Sequence, residues 1–305
     1  MSNSFAGSPI TFMTHTILQS TVSPKLVTTR AALRDALNAR RMGSSIGFVP
    51  TMGALHAGHE NLVKASREQC DVTVVSIFVN PTQFGPGEDL EKYPRTLERD
   101  LDLLKRAGAD VIFAPATDEI YRRGHSTFVD VGPITELLEG KFRPEHFRGV
   151  ATVVLKLLNL VQPEVAYFGR KDYQQTLVIR RMTDDLNLPV EIRVCPTVRE
   201  ADGLAMSSRN AYLSPDQRQR ALAISRALRM AQQLVRDGAR DARAITAKMH
   251  DELTAGGIDE IDYVVVADPE TLSQVHEITG PAVALIAAKV GATRLIDNET
   301  LTPVG

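Results

Sequence analysis

Short, nearly continuous apolar runs alternate with stretches of helical period through the first two thirds of the chain. Ile46-Gly47-Phe48-Val49 and the runs at 72–79, 110–114 and 165–168 read as strands, the nearly unbroken apolar run at 72–79 as one covered on both faces. Between them, Leu33 and Leu37 mark a short helix that Thr29 caps and Gly43 ends, and helices are predicted over 96–107 and 149–161. Strand and helix in alternation predict a parallel, doubly wound sheet, an α/β fold. Past Thr197 the texture changes. Ser214-Pro215-Asp216-Gln217 opens a long helix with a hydroxyl cap, a first-turn proline and a glutamine at the capping-box position. Ala221, Ile224, Leu228, Ala231 and Val235 line its buried face, and Gly238 ends it. A second helix near 242–255 and strands at 261–267, 282–289 and 293–297 follow, the last two joined through Val290-Gly291-Ala292 as an antiparallel hairpin. The expected organisation is an extension over 1–24, an α/β domain over 25–197 and a smaller α+β domain over 198–305.

Composition narrows the partners. A chain of 305 residues, 43% hydrophobic and 24% charged, can bury two modest cores, in line with the change of texture. Lys and Arg number 35 against 37 for Asp and Glu, a formal net charge of −2, so the chain lacks the basic field that nucleic acid would need. No apolar run reaches the ~18 residues that would span a bilayer. Residues 1–24 are rich in Ser and Thr with no Lys or Arg before Lys25, which is not a secretory signal; they read as a mobile tail, with Met13 an alternative start. Cys70 and Cys195 stand far apart with no Cys-x-x-Cys, so a disulfide framework is not expected and a cytoplasmic location is.

The chemistry gathers at strand ends. In Pro50-Thr51-Met52-Gly53-Ala54-Leu55-His56-Ala57-Gly58-His59, the glycines let the backbone approach a ligand closely. A helix starting near His59 would aim unpaired N–H groups and a positive dipole end at an anion. His56 and His59, about one helical turn apart, can both donate to phosphate oxygens. The same pair fits a metal site or an ordinary polar helix start. A metal would need a third ligand at suitable spacing, and Glu60 directly follows His59, so the His-Glu-x-x-His pattern is absent. Neither a dinucleotide fingerprint nor a P-loop occurs. Asn80 and Gln83 follow the second apolar strand, where open α/β sheets place their ligands. At the next such end, Phe168-Gly169-Arg170-Lys171-Asp172, the lysine can reach a polyphosphate and the aspartate can serve ribose hydroxyls or hydrated magnesium. Met206-Ser207-Ser208-Arg209-Asn210 makes a compact anion clamp. Simple loop or helix-face polarity remains the plain alternative for each of these segments.

Together with Tyr93-Pro94-Arg95-Thr96 and Lys171-Asp172-Tyr173-Gln174-Gln175, these segments resemble the pantoate–beta-alanine ligase family of the HIGH-motif nucleotidyltransferases, over about residues 25–298. The resemblance implies a Rossmann-like domain with a smaller α+β lid, usually dimeric. It implies ATP-dependent condensation of (R)-pantoate with beta-alanine through pantoyl adenylate, releasing AMP and pyrophosphate, with magnesium accompanying the ATP. Carried over by motif, Met52, Gly53, Ala54, Leu55, His56, Ala57, Gly58 and His59 hold ATP, and His59 is the catalytic proton donor. Gly169, Arg170, Lys171, Asp172, Val198, Met206, Ser207, Ser208 and Arg209 match the family's other ATP contacts. Gln83 and Gln175 match its pantoate contacts, Gln83 also lying near beta-alanine. Two positions depart from the family pattern: Arg170, where Glu is usual, and Thr82, where Met is common. The rival reading is a non-catalytic adenine-nucleotide-binding protein of the same fold, which would have no use for Gln83, Gln175 and the Ser-Ser-Arg loop together.

Overall fold

The computed structural model describes residues 23–303, so all but Ser23 and Pro24 of the expected N-terminal tail lies outside the described residues. The first part runs β1 Lys25–Val27, α1 Arg30–Asn38, β2 Ile46–Thr51, α2 Ala57–Gln69, β3 Val72–Ile77, α3 Leu97–Ala107 and β4 Val111–Phe113. It continues through the single turns α4 Thr117–Ile120 and α5 Glu139–Phe142 to α6 His146–Val161, β5 Val165–Gly169, α7 Tyr173–Asp185 and β6 Glu191–Cys195. The second part comprises α8 Pro215–Arg236, α9 Ala242–Ala255, β7 Glu260–Ala267, β8 Ala282–Val290 and β9 Thr293–Leu301.

The six strands of the first sheet lie in the order β1-β4-β3-β2-β5-β6, every pair parallel. Alternation along each strand feeds two cores. Ile46, Phe48, Ala166 and Phe168 face α1, α6 and α7 through Leu33, Leu37, Val154 and Ile179. Val49 and Tyr167 face α2 and α3 through Leu62, Val63 and Leu104. Both faces are therefore covered, which is why these strands read as continuous apolar runs. From β2 the chain steps outward through β3 to β4, then returns to place β5 and β6 on the other side. Strand order thus reverses between β2 and β5, and a crevice opens at their carboxyl ends.

In the second part, β7, β8 and β9 form an antiparallel sheet. Ala284, Ile286 and Ala288 pack against Ile224, Leu228, Met249 and Leu253 of α8 and α9. Truncating a side chain such as the fully buried Leu228 would cost ~2–5 kcal/mol. The opposite face of this sheet presents Val265, Val283 and Leu285 to Tyr173 and Leu177 of α7. A buried ionic cluster ties α5 of the first part to the antiparallel sheet. Arg294 of β9 donates to both oxygens of Glu139 at 2.7 Å and to Asp262 at 2.6 Å, and the Tyr263 hydroxyl donates to Glu139 at 2.9 Å. Removing one member would strand a buried charge, at ~3–5 kcal/mol.

The predicted caps form: Thr29 Oγ1 accepts from Ala32, and Ser214 and Gln217 cap each other at the start of α8. The strand β1 was not expected, because three residues reading Lys-Leu-Val carry no usable alternation. α6 begins at His146 rather than near 149, and β9 continues to Leu301 rather than stopping near 297.

Candidate active site

The turn after β2 is held from below by one carboxylate. Asp100, on α3, accepts from the backbone N–H groups of Ala54 at 2.9 Å and Leu55 at 2.8 Å, and from the Thr96 hydroxyl at 3.1 Å. Gly53 has φ +81°, and a side chain there would meet Asp100 Oδ2 at 3.0 Å, so only glycine fits between the turn and its clamp. Asp100 is buried, on the same stripe as Leu104 and Ala107.

Helix α2 starts at Ala57, two residues earlier than near His59, because His56 is its N-cap. His56 Nδ1 accepts the N–H of Gly58 at 3.1 Å, and His59 Nδ1 accepts the N–H of His56 at 3.3 Å. The amides of His56 and Gly58 are therefore spent on the histidines instead of being left for an anion. With both Nδ1 atoms acting as acceptors, each neutral ring carries its proton on Nε2. Burial, then the Lys171 charge, lowers His56 to about 4, and burial, then His56 and Lys171, lowers His59 to about 3. Two neutral imidazoles, ring centres 4.1 Å apart, are thus fixed as Nε2–H donors.

A cavity of about 230 Å³, on the scale of an organic ligand rather than an ion, opens over this turn at the switch point. Met52, His56, Gly58 and His59 line it, with Gly169, Lys171 and Asp172 from the end of β5. Val198, Met206, Ser207, Ser208 and Arg209 close it from the second part, and Gln83 and Gln175 also face it. The remaining expected contacts do not line the cavity. Gly53, Ala54 and Leu55 turn toward Asp100, Leu55 being buried beside Val49, and Ala57 is exposed on the first turn of α2. Arg170 donates its N–H to the Cys195 carbonyl at 2.8 Å, and its own carbonyl accepts from Asn298 at 3.0 Å. Its side chain stands away from the lining, so the departure from the family's Glu leaves the cavity wall unaltered.

Gln83 is fixed by residues whose roles local spacing did not reveal. Asn80 Nδ2 donates to Gln83 Oε1 at 3.1 Å and to the Gly149 carbonyl at 3.1 Å, and Asn80 Oδ1 accepts from the Tyr121 hydroxyl at 2.8 Å. With Oε1 engaged, Gln83 presents Nε2 to the cavity beside Met52 Sδ, 3.0 Å away. Arg143 can only donate, so its 3.2 Å contact makes His146 Nε2 an acceptor, and His146 Nδ1–H then donates to the Gln83 carbonyl at 2.9 Å. Burial, then Arg143, lowers His146 to about 4. Val150, Val153, Val154 and Leu157 of α6, with Phe78, give this end of the cavity an apolar wall.

The clamp loop bridges the two parts of the chain. Ser208 Oγ donates to the Ala54 carbonyl at 3.0 Å, and Ser207 Oγ accepts the Arg209 N–H at 3.3 Å. Arg209 belongs to the loop read as an anion clamp. Its guanidinium instead meets Asp89 through two contacts of 2.9 Å and lies 5.7 Å from the Tyr93 ring centre. Among the described residues no group of three His, Cys, Asp or Glu side chains could hold a metal ion.

Fixed neutral donors and a lysine at the switch point of a parallel sheet suit a nucleotide polyphosphate, and the amide set in an apolar wall suits a small branched acid beside it. Fold and site together define an α/β nucleotide-binding enzyme. A family model described as Pantoate-beta-alanine ligase matches residues 25–300. The chain belongs to the pantoate–beta-alanine ligase family and is a ligase joining pantoate to beta-alanine with ATP. It is 54% identical over 278 residues to the pantothenate synthetase of Moorella thermoacetica, covering 91% of this chain and 98% of that one. To pantothenate synthetase 1 of Bradyrhizobium diazoefficiens it is 56% identical over 280 residues, covering 91% and 98%. The crystal structure of the Thermus thermophilus pantothenate synthetase superposes with a TM-score of 0.87 at 48% identity, covering 92% of this chain and all (100%) of that one. The Francisella tularensis pantoate-beta-alanine ligase, complexed with beta-gamma ATP and beta-alanine, gives 0.76 at 34% identity, covering 90% and 97%.

Proposed function

We propose that the chain makes pantothenate in two displacements within this one cavity. A carboxylate oxygen of (R)-pantoate attacks the α-phosphorus of ATP, forming pantoyl adenylate and expelling pyrophosphate. The amine of beta-alanine then attacks the acyl carbon, its proton passes to solvent, and AMP leaves with the bridging oxygen. The observation that carries this reading is the His56–His59 pair, two neutral Nε2–H donors fixed beside Lys171 at the switch point. Charge builds on phosphate oxygens in the first step, and each preorganised donor aimed there is worth ~100- to 1000-fold. A ring lowered to about 3 holds no spare proton near neutral pH, so His59 acts by donating a hydrogen bond from Nε2. Lys171 adds a point charge.

Met52, Gly58, Gly169, Val198 and the 206–209 loop hold the rest of the nucleotide. Magnesium enters on the triphosphate, as part of the substrate, and Asp172 is the carboxylate among the described lining residues that would meet its hydration shell. Gln83 and Gln175 read pantoate, with the α6 wall for its methyl groups and Gln83 close to the incoming amine. A purely nucleotide-binding role would leave that wall and both amides without a ligand.

The chain divides near residue 197, and the part beyond it closes over the site to keep water from the labile adenylate. The enzyme works in the cytoplasm as a homodimer on small molecules alone. Two unpaired cysteines fit a reducing compartment, and a net charge of −2 fits small-molecule rather than nucleic-acid partners. Pantoate labelled with oxygen-18 in its carboxylate tests the pathway. One labelled oxygen should appear in AMP, and label appearing only in pantothenate would refute an acyl adenylate.

A further inference from the structure

Lys171 lies in the turn after β5 of the first sheet, but that turn is gripped from the second. Asn298, on β9 and buried, donates through Nδ2 to the carbonyls of Arg170 at 3.0 Å and Lys171 at 2.9 Å. Two carbonyl acceptors fix the amide's orientation, since the reverse would set oxygen against oxygen. Its Oδ1 is buried without a hydrogen-bond partner. An orphaned acceptor lowers stability, so core packing alone does not explain an amide here. The adjacent residue holds the other phosphate loop. Arg199 donates to Asp297 at 2.6 and 3.2 Å and to the Gly203 carbonyl at 3.3 Å, within the segment leading to Ser207, Ser208 and Arg209.

We propose that Asn298 is a positioning residue for Lys171. Its two donated bonds set the height of the 169–172 turn, and with it the place of the ammonium at the phosphates. Because Asn298 is part of β9, that place follows the position of the antiparallel sheet. A point charge acts through its distance from the charge it stabilises, so a turn released from this grip weakens Lys171 without removing it. The proposal rests on the reading of Lys171 as a phosphate-binding residue.

The test is a double-mutant cycle of Asn298→Ala and Lys171→Ala, read by pantoate-dependent exchange of pyrophosphate into ATP and by the KM for pantoate. Asn298→Ala should slow exchange roughly tenfold or more while raising the pantoate KM by a smaller factor, because Gln83 and the α6 wall are held independently and only Gln175 follows the released turn. In the Lys171→Ala background the same change should add less than about twofold. Asn298→Asp, isosteric but unable to donate, should be at least as slow as Asn298→Ala. If Asn298→Ala fails to fold, Asn298→Ser, which keeps one donor, goes through the same cycle with a smaller expected loss. An equal loss with and without Lys171 would mean that Asn298 is merely structural, and the proposal would fall while Lys171 kept its role. No loss from Lys171→Ala itself would remove the reading of Lys171 and this proposal together.

Discussion

Arg209 and Asp89, 120 positions apart, meet through two N–H···O contacts of 2.9 Å each. A carboxylate thus occupies the guanidinium fork that a phosphate oxygen would use. Both side chains are about a quarter exposed, at 28% and 27%, so the pair is neither fully screened nor locked in the core. A triphosphate arriving at this loop must displace Asp89 or share Arg209 with it, and repulsion from the carboxylate opposes binding either way. Asp89→Ala should therefore tighten ATP binding by roughly three- to tenfold at low ionic strength, with the gain shrinking as salt is added. Calorimetric titration at two salt concentrations measures it. Weaker binding in the variant would show that Asp89 orients Arg209 for the phosphates rather than competing with them.

Loss of the His59 donor should be felt in chemistry and not in folding. Its ring faces the cavity and shares one backbone contact with His56. His59→Ala should cut single-turnover adenylation by at least roughly a hundredfold, ~2.7 kcal/mol, with little change in thermal midpoint. A rate within about threefold of the parent would contradict the role given to His59.

The three lowered histidines make stability depend on pH in a defined direction. Burial, with Lys171 or Arg143 adjoining, holds His56 at about 4, His59 at about 3 and His146 at about 4, against an ordinary value of 6.5. Their folded pKa values are depressed, so between 6.5 and about 4 the unfolded chain binds protons that the folded chain does not. Stability is then fully present above 6.5 and declines as the pH falls through that window. Denaturant midpoints at stepped pH should show this decline, and His59→Ala, with one proton fewer to take up, should show a shallower one. An unchanged slope in the variant would mean that His59 is not held neutral.

Gln83 offers a sharper probe of the acid pocket than truncation does. Asn80 already occupies Oε1, so Gln83→Glu preserves that contact while turning the ligand-facing donor into a charged acceptor. The KM for pantoate should rise more than tenfold, since a site built to bond a polar group penalises its mismatch, while ATP binding stays within about twofold. Equal effects on both substrates would place Gln83 outside the pantoate pocket.

Local pattern made much of this legible. The apolar runs, the Thr29 and Ser214 caps and the 290–292 hairpin turn need only neighbours in sequence, and each formed where its residues predicted. What escaped depends on distant pairing. Asp100 reaches back 46 positions to Ala54, Asn298 spans 127 to Lys171, and neither Asp89 nor Arg209 carries any sign of the other. Asp100 alone left a trace, as an acid at the helical spacing of buried Leu104 and Ala107, where an apolar residue belongs. The start of α2 was misplaced because a histidine is a rare cap, so its side chain did not announce the helix as Ser or Asp would.

In the two-displacement reaction, pantoate and ATP react with each other before beta-alanine takes part. Exchange of labelled pyrophosphate into ATP measures that step alone, as it requires a reversible displacement at the α-phosphorus. Exchange should depend on pantoate and proceed without beta-alanine. Exchange that is absent, or that runs equally well without pantoate, would contradict that order.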